Sequence, residues 1–491
     1  MAARLRFLKV FLVCVVFVLI VKTSHVFPAS RIPVTFVDPS SNHYDDPSGT
    51  EPSDQEPDNR ESVNLAPPYR AAAEKTQAGS EWHQESGSLI HDHTLTEEQC
   101  DAEFPALYHE IDRSVQFWEQ NGRIRPDNID LGWAQGGGVV RVMIIDKQLY
   151  IVEAKGATTR EDYRVRTLAT LQQINRAITT SREAIPDIEF SFAVGDGISD
   201  SSDNPSDSNS SIWAYTRKAT DPSHDRLWLV PDFNLWSWDP VAGSFPDFQR
   251  QAHAYDVPLS AKKPQLIWRG ALWVNEAIRG ALIQQSQGQE WSDVATFDWN
   301  NQTEVAARRI SMSDHCRYAF AAHTEGRTWS GRLKYLLQCR SVAVVHQLEW
   351  MAWYYHLLIA EGEEQNILLV DREWSNLQEK MEYYLAHEEE AQRVADNAAK
   401  LFRDRYLTPA AETCYWRRLF KGYASVAFTP DPYLPLEPVP ERPKSWAQRL
   451  TQGWIGAGAQ VEVEDKPEER RFRGITYEEY IIKEGNYPPD G

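Results

Sequence analysis

Two hydrophobic periods alternate along the central part of this chain, and that alternation restricts the possible folds more than any other feature. Residues 188–194 place apolar side chains at every second position, as a strand does, whereas residues 163–180 place them at helical spacing. Further strand-like segments follow, with helix-like segments between them: 266–268, 317–322, 342–346 and 367–370. Strands that alternate with helices predict parallel sheets covered on both faces.

This pattern predicts an α/β fold with enough chain for two lobes, divided near residues 240–262. One pair of strands is different, because residues 139–145 and 148–152 flank a two-residue turn, Asp146-Lys147, and predict a hairpin. The sequence contains no internal repeat.

The overall charge excludes two classes of protein. The chain has 491 residues with 51 basic and 71 acidic side chains, a net charge of −20. A nucleic-acid binder needs a basic face to meet phosphates, so the acidity argues against nucleic acid as a partner. It argues equally against docking on anionic lipid through charge. Any anionic ligand must therefore be bound by a local basic pocket.

The N-terminus carries the sequence's only membrane-like segment. Basic residues at positions 4, 6 and 9 precede an unbroken apolar run over residues 10–21, which Lys22 closes. The run is short for a membrane span and near the length of a signal-peptide core. An uncleaved signal anchor, a cleaved signal peptide and a buried core helix are all open. The positive flank favours a cytosolic tail and signal-anchor helix over residues 1–22, with a single-pass type II topology.

Composition divides the rest of the chain. Residues 37–62 contain eight acidic residues and one arginine with almost no apolar side chains, so they cannot form a core. We predict the following further segments: a disordered acidic stem over 23–95, an N-terminal lobe over 96–245, a C-terminal lobe over 246–425 and a polar tail over 426–491.

Cysteines and sequons agree with a lumenal location. Outside the apolar run there is an even number of cysteines, which suits an oxidising compartment. They are Cys100, Cys316, Cys339 and Cys414. No CxxC pair or histidine cluster indicates zinc. Asn209 and Asn301 each begin a glycosylation sequon in a polar, loop-like setting.

Ligands of open α/β sheets collect at the carboxyl ends of the strands, and this rule selects three candidate positions. The first is Asp196, which follows the strand at 188–194. A carboxylate there can act as a general base and accept the proton of an attacking hydroxyl group. A turn or capping aspartate before a flexible loop is the alternative.

The second position is Arg269-Gly270, directly after the strand at 266–268. An arginine at the end of a buried strand can donate two hydrogen bonds to a phosphate. A glycine beside it has no Cβ and lets the phosphate approach the backbone closely. An ordinary arginine–carboxylate pair is the alternative.

The third position is a loop that enters a predicted helix. Ser330 is its candidate N-cap, so that free backbone N–H groups would point towards an anion. The arginines of the loop add positive charge suited to a diphosphate, and a capped surface helix is the alternative. The candidate nucleotide-binding residues of this loop are Arg327, Thr328, Trp329, Ser330, Gly331 and Arg332.

A platform for a sugar or an acceptor is a further possibility in the tryptophan-rich stretch 227–238. Asp232, Trp236 and Trp238 can line it, since flat apolar rings stack on sugar faces. Tryptophans at a spacing of two are also typical of a core strand. No D-x-D motif follows a strand, so no metal ligand is predicted.

Six segments resemble, in the same order, glycosyltransferase family 90, the group of the Rumi-type protein O-glucosyltransferases and the fungal capsule-associated xylosyltransferases. The resemblance covers roughly residues 97–425. The segments are VMIIDKQLYIVE, IPDIEFSFAVGD, LVPDFNLWSW, QLIWRGALWVNEAIRGAL, DHCRYAFAAHTEGRTWSGRLKYLLQCRSVAVVHQLEW and TCYWRRL. Six segments in order are far more specific than any single motif.

The resemblance implies a GT-B architecture, in which two Rossmann-like lobes face each other across a cleft and a C-terminal helix returns to the first lobe. It implies inverting transfer of glucose or xylose from a UDP-sugar to a hydroxyl group of a glycan or protein acceptor. Asp196 matches the family's catalytic aspartate, and Arg269 with Gly270 matches its WRG segment. The segment Ser330 to Arg332 matches the loop that holds UDP.

The resemblance also implies two disulfides, Cys316–Cys339 and Cys100–Cys414. Basic side chains can replace the metal that D-x-D enzymes use, so no obligatory metal is expected, although some fungal relatives depend on manganese. The short anchor and an ending unlike KDEL favour the Golgi membrane, with the ER or secretion expected if the anchor is cleaved. The rival from another class is a catalytically silent lumenal binding or scaffolding protein that keeps the fold.

Overall fold

Two large β-sheets organise the described part of the chain. The computed structural model describes residues 90–134, 137–198, 209–239, 241–434 and 472–485. The strands in chain order are β1 (Val139–Ile145), β2 (Gln148–Lys155), β3 (Ile188–Ala193), β4 (Ile212–Ala214), β5 (Arg217–Lys218), β6 (Trp228–Leu229), β7 (Ser237–Trp238), β8 (Gly243–Ser244), β9 (Lys263–Gly270), β10 (Ser292–Thr296), β11 (Tyr318–His323), β12 (Val342–His346), β13 (Trp350–Met351), β14 (Leu368–Val370) and β15 (Ile475–Thr476).

Helices connect and cover these strands. Helix α3 confirms the helical prediction for residues 163–180, and Leu171, Ile174 and Ile178 on its apolar face are fully buried. The α-helices are α1 (Glu97–Glu103), α2 (His109–Gln120), α3 (Glu161–Thr179), α4 (Phe245–His253), α5 (Glu276–Ser286), α6 (Gln302–Arg308), α7 (Leu333–Leu336), α8 (Leu377–Ala386), α9 (Glu388–Ala398), α10 (Pro409–Val426) and α11 (Tyr477–Gly485), with a π-helix, Ala399–Tyr406, directly after α9.

The first sheet is mixed and has the strand order β15-β2-β1-β3-β4-β6. Strand β1 pairs antiparallel with both β2 and β3, whereas β3, β4 and β6 are parallel. The predicted hairpin is confirmed, with Asp146 (φ 49°) and Lys147 (φ 61°) in the left-handed conformation that a tight turn requires. The expectation of parallel pairing holds for only part of this sheet, because a two-residue turn joins antiparallel strands.

The second sheet has the strand order β10-β9-β11-β12-β14, and all its pairings are parallel. Every residue of β11 and β12 is buried, as expected for parallel strands covered on both faces. The prediction of a parallel sheet is therefore confirmed for this half of the molecule. The carboxyl ends of β9 and β11 carry two of the three loops that the sequence selects.

Helix α10 packs on the first sheet, although it follows the second sheet in the chain. The Tyr423 hydroxyl donates to the backbone oxygen of Glu189 in β3 at 3.2 Å, and the Trp416 ring lies 6.1 Å from that of Trp213 in β4. Arg417 of α10 donates from Nε to the backbone oxygen of Ala177 in α3 at 3.0 Å.

Both predicted disulfides are present. Cys100–Cys414 ties α1 to α10, and Cys316–Cys339 joins the segment before β11 to the segment before β12. In the loop-entropy account each such link stabilises the fold by about 3–5 kcal/mol. The sequon residues Asn209 and Asn301 are both exposed.

Part of the predicted polar tail folds back on the first sheet. Strand β15 pairs antiparallel with β2 at the sheet edge, and Tyr477 and Tyr480 of α11 are buried. Arg473 pairs with Glu189 of β3, whose fully buried side chain also contacts Arg141. Composition alone does not reveal this packing, in which Arg473 helps to neutralise a buried carboxylate.

The predicted anchor at 1–22 and almost all of the predicted stem at 23–95 lie outside the described residues. No helix in the described ranges is both long and apolar enough to cross a membrane. All described residues belong to one compact unit, and the lobe boundary at residue 245 stays a prediction.

Candidate active site

A cleft of about 520 Å³ lies where the ends of strands from the two sheets meet. Gly195, Asp196 and Gly197, directly after β3, form one wall. The opposite wall includes Trp273 from the turn after β9 and Arg327 from the loop after β11. A volume of this size is typical of small-molecule sites.

Asp196 faces this cleft, as a general base requires. Its side chain is 51% exposed, and one carboxylate oxygen, Oδ1, accepts a hydrogen bond from Nη1 of Arg166 at 2.8 Å. The Thr328 hydroxyl donates to the backbone oxygen of Asp196 at 2.7 Å. A Cβ on Gly197 would lie only 2.6 Å from Cγ2 of Thr328, so glycine permits this close approach of the two loops.

Arg332 supplies a buried positive charge with unused donors. Its Nη2 donates to the backbone oxygen of Arg269 at 2.6 Å, while its buried Nε and Nη1 have no partner within the described residues. Burial and the neighbouring Arg279 guanidinium lower the pKa of Arg332 to about 9. A buried donor without a partner is costly, and an anion would satisfy it.

Arg279, in α5, is a second buried guanidinium beside the first. Arg279 and Arg332 lie 5.8 and 5.6 Å from the ring of Trp268, respectively. Burial lowers the pKa of Arg279 to about 10. Its Nη1 donates to the backbone oxygen of Ala271 at 2.6 Å and its Nε to that of Glu325 at 3.3 Å. Neither arginine has a carboxylate partner in the described part of the chain.

Two buried histidines near Arg332 also have lowered pKa values, because burial and nearby positive groups disfavour their protonated form. Burial, followed by nearby His346 and Arg332, lowers the pKa of His323 well below its ordinary value. Burial and Arg332 lower the pKa of His315 to about 4. Both imidazoles are therefore neutral near pH 7, and neither ring nitrogen of His323 has a hydrogen-bond partner in the described ranges.

Arg269 is bound by protein groups in this structure, and its role at a phosphate stays a prediction. Its Nη2 lies 2.5 Å from Oδ1 of Asp293, and its Nε donates to the backbone oxygen of Arg308 at 2.9 Å. A Cβ on Gly270 would lie 2.7 Å from Cζ2 of Trp268, so this glycine accommodates an indole ring. The contact with Asp293 is the one that the arginine–carboxylate alternative describes.

The loop after β11 departs from its prediction in one respect. Helix α7 begins at Leu333 with Arg332 at the N-cap position and no side-chain cap, so the N-cap prediction for Ser330 is wrong. The helix is one turn long and presents few backbone N–H groups, so the positive charge of this loop comes from side chains.

The other residues of this loop occupy several environments. The Arg327 guanidinium lies 5.6 Å from the ring of Trp273 at the cleft. Thr328 and Trp329 are buried. A Cβ on Gly331 would lie 2.0 Å from Nδ2 of Asn234, so a larger residue has no room there.

The predicted sugar platform lies elsewhere. Asp232 is 1% exposed, and Nζ of Lys334 donates to its carboxylate. Trp236 packs under the guanidinium of Arg176, and Trp238 lies 5.8 Å from the ring of Tyr335. None of the three predicted residues lines the cleft beside the catalytic candidate, because these side chains pack against the core.

The aromatic residues that do line the cleft are Trp133, Tyr163 and Trp273. Trp273 is 54% exposed, which is unusual for an indole ring and has no packing explanation. Sequence reasoning missed these residues because no local pattern distinguishes an aromatic residue that lines a cleft from one that packs in the core. In the described ranges, no group of three His, Cys, Asp or Glu side chains could hold a metal ion.

Comparison with known proteins shows which family the chain belongs to. The profile of glycosyl transferase family 90 matches residues 97–435. The O-glucosyltransferase rumi homolog of Anopheles gambiae is 24% identical over 213 residues, which cover 40% of this chain and 52% of that protein. Protein O-glucosyltransferase 1 of Homo sapiens is 29% identical over 119 residues, which cover 24% of this chain and 29% of that protein.

A third relative, the O-glucosyltransferase rumi of Drosophila pseudoobscura pseudoobscura, is 26% identical over 223 residues, covering 40% of this chain and 52% of that protein. The matches thus span about half or less of each of these relatives. The family profile, in contrast, spans every strand of both sheets except β15, and every candidate site residue. The chain belongs to glycosyl transferase family 90.

Proposed function

We propose that this protein is an inverting glycosyltransferase that moves glucose, or xylose in its place, from a UDP-sugar to a hydroxyl group of a protein or glycan acceptor. One arrangement carries the proposal. A cleft-facing carboxylate, Asp196, is joined through Thr328 to the loop that ends at Arg332, whose buried guanidinium has unused donors. A base and an anion site in adjacent loops are what such a transfer needs.

In this mechanism Asp196 accepts the proton of the acceptor hydroxyl. The acceptor oxygen forms a bond to the anomeric carbon of the donor sugar, on the face opposite the nucleotide, while the bond to the diphosphate oxygen breaks. UDP leaves with the bonding electrons. Arg332 and Arg279 stabilise the negative charge that grows on the diphosphate, because guanidinium groups in a buried site act with little dielectric screening.

We propose that the transfer requires no metal ion. A divalent cation in other nucleotide-sugar enzymes neutralises the diphosphate, and two buried guanidinium groups can supply that charge here. Transfer should therefore persist in EDTA. Activity that EDTA removes and manganese restores would contradict this part of the proposal.

The relatives favour glucose as the sugar, since each reported relative is named an O-glucosyltransferase. The cleft-lining rings of Tyr163 and Trp273 are the candidate contacts for the acceptor. They replace the platform predicted from the sequence, whose members are packed elsewhere.

We further propose a GT-B arrangement with the catalytic body in the lumen of the secretory pathway, held in the Golgi membrane by the predicted N-terminal anchor. Two disulfides and the exposed sequon residues Asn209 and Asn301 support a lumenal body. Cleavage of the anchor would instead give an ER or secreted protein, which the N-terminal sequence of the mature protein distinguishes.

The test is sugar transfer and UDP release by the purified full chain with UDP-glucose and UDP-xylose, beside the variant Asp196→Asn. Loss of the base should lower the rate by about 100- to 10,000-fold and leave UDP affinity unchanged. Asp127→Asn is the matched control, since Asp127 is an exposed aspartate paired with Arg125.

Each outcome decides a part of the proposal. Full activity in Asp196→Asn would remove the assigned mechanism. UDP binding without turnover of any donor would favour a silent protein that keeps the fold, and the absence of UDP binding would favour a scaffold.

A further inference from the structure

Arg166 in α3 donates the only side-chain hydrogen bond that the Asp196 carboxylate accepts within the described residues. Its Nη1 lies 2.8 Å from Oδ1 of Asp196 and also donates to the backbone oxygen of Val194 at 3.1 Å. The other carboxylate oxygen, Oδ2, accepts no hydrogen bond from any described residue. The two oxygens of the candidate base are therefore held in unequal environments.

We propose that Arg166 is a positioning residue for catalysis: it holds Oδ1 of Asp196 so that Oδ2 meets the acceptor hydroxyl. This inference rests on the function proposed above. An aspartate carboxylate rotates about its Cβ–Cγ bond with little preference. One fixed oxygen removes that freedom and directs the free lone pairs of the other oxygen into the cleft.

The surroundings of Arg166 make it a rigid support. Its side chain is 16% exposed, against 51% for Asp196. Its guanidinium lies 4.9 Å from the ring of Phe233, and its backbone oxygen accepts from the Thr170 hydroxyl inside α3 at 2.9 Å. The flat face of the Arg166 guanidinium thus packs on Phe233, while its Nη1 donates to both Val194 and Asp196. Arg166 is anchored in a helix, and the aspartate stands on an exposed loop.

Other charges in the cleft do not provide the same contact. Arg160 pairs twice with Asp162, at 3.0 and 2.7 Å, and lies 4.1 Å from the ring of Tyr163. Arg327 stacks near Trp273 on the opposite wall. These groups face the cleft around Asp196, but no hydrogen bond joins any of them to its carboxylate in the described part of the chain.

A purely structural role explains this ion pair less well. One partner is half exposed, and such pairs add little to folding stability. The contact also joins the helix to a loop whose backbone Thr328 already holds from the other side. The pair therefore matters for the direction of the carboxylate more than for the stability of the fold.

The experiment is a double-substitution cycle on the full chain, with Arg166→Gln, Asp196→Asn and the double variant, measured as UDP-glucose-dependent transfer. Arg166→Gln should lower kcat by about 10- to 100-fold, leave KM for the donor unchanged, and leave the melting temperature close to that of the parent. Arg166→Lys should recover part of kcat. In the Asp196→Asn background Arg166→Gln should cause no further loss, because its effect passes through the carboxylate.

Arg164→Gln is the matched control. Arg164 lies two positions away on α3 and donates to the backbone oxygen of Glu484, on a different face of the helix. Unchanged kcat in Arg166→Gln, or the same fold loss with Asn at position 196, would overturn the positioning role. Full activity of Asp196→Asn alone would instead overturn the proposed base, and no transfer by the parent would overturn both.

Discussion

The loops that follow β3 and β11 meet at one cleft but are held very differently. Asp196 in the first loop is half exposed and has one side-chain partner in the described residues. Glu325, at the start of the second loop, is 1% exposed, and its carboxylate accepts from the backbone N–H groups of Glu349 and Trp350 and from Arg372. Burial raises the pKa of Glu325.

This difference separates two tasks. In the second loop, protein groups already bind the Glu325 carboxylate, whereas Nε and Nη1 of Arg332 have no hydrogen-bond partner in the described residues. The first loop presents its carboxylate to solvent, where an acceptor can reach it. Under the proposed function, a preformed anion site would lower the cost of nucleotide binding, and an exposed base would accommodate acceptors of more than one shape.

Arg332→Met has the largest expected effect, and it tests whether the second loop binds the nucleotide. Loss of a buried charge that pairs with a ligand typically costs about 2–5 kcal/mol. UDP affinity, measured by calorimetry, should fall by at least about 30-fold. Arg269→Met is the informative control, since Arg269 is bound to Asp293 and should leave UDP affinity unchanged. Equal losses in both variants would return Arg269 to the nucleotide site.

Acid should lower the stability of the fold through His315, which lies in the segment before β11. The folded-state pKa of His315 is about 4, lowered from 6.5 by burial and then by Arg332. The unfolded chain therefore takes up a proton that the folded chain refuses, and stability is complete above pH 6.5 and falls as the pH drops towards 4. The limit for this histidine is about 3 kcal/mol.

Urea unfolding at pH 7 and pH 5 tests this expectation with His315→Gln. The variant should lose less stability on acidification than the parent chain. His253→Gln is the control, because the His253 side chain is 81% exposed. Equal pH dependence of parent and His315→Gln would show that another group controls the acid response.

Trp273→Ala tests whether the exposed ring of Trp273 contacts the acceptor. Removal of a stacking ring costs about 0.5–1.5 kcal/mol, so KM for the acceptor should rise several-fold, with UDP affinity and donor hydrolysis unchanged. Trp299→Ala is the control, an exposed tryptophan that does not line the cleft. A loss of UDP affinity in Trp273→Ala would place the ring in the donor site instead.

The smallest expected effect is at the contact between the loops. Thr328→Val removes the hydroxyl that holds the backbone of Asp196 but keeps the shape of the side chain. A single neutral hydrogen bond contributes about 1 kcal/mol, so kcat should fall about fivefold. Thr159→Val, on an exposed threonine, is the control. No change in kcat would show that the loops are positioned independently.

Much of the fold followed from local pattern. The hairpin, the α3 helix and the second parallel sheet all depend on periodicity within a few residues, and each is present. The mixed order of the first sheet and the pairing of β15 with β2 did not follow, because a short edge strand far along the chain has too little periodicity to reveal its partner.

The candidate site divides in the same way. Asp196 could be singled out because it follows a strongly periodic strand. Arg279 and Arg166 could not be singled out, because arginine is common in helices. Their proposed roles depend on which residues surround them in the folded chain. Asp232 and its neighbouring tryptophans looked like a surface platform, but burial pairs Asp232 with Lys334, 102 positions away.

The sequence by itself determined the α/β class, the cysteines that can pair, and the position of a carboxylate at the end of β3. Only the tertiary structure decided which arginines have a carboxylate partner. Arg269 and Arg332 look alike in the sequence. In the structure Arg269 forms an ion pair with Asp293, whereas Arg332 has no carboxylate partner among the described residues. The physical reason is that a charge's availability is set by its burial and its partners, and both depend on residues distant along the chain.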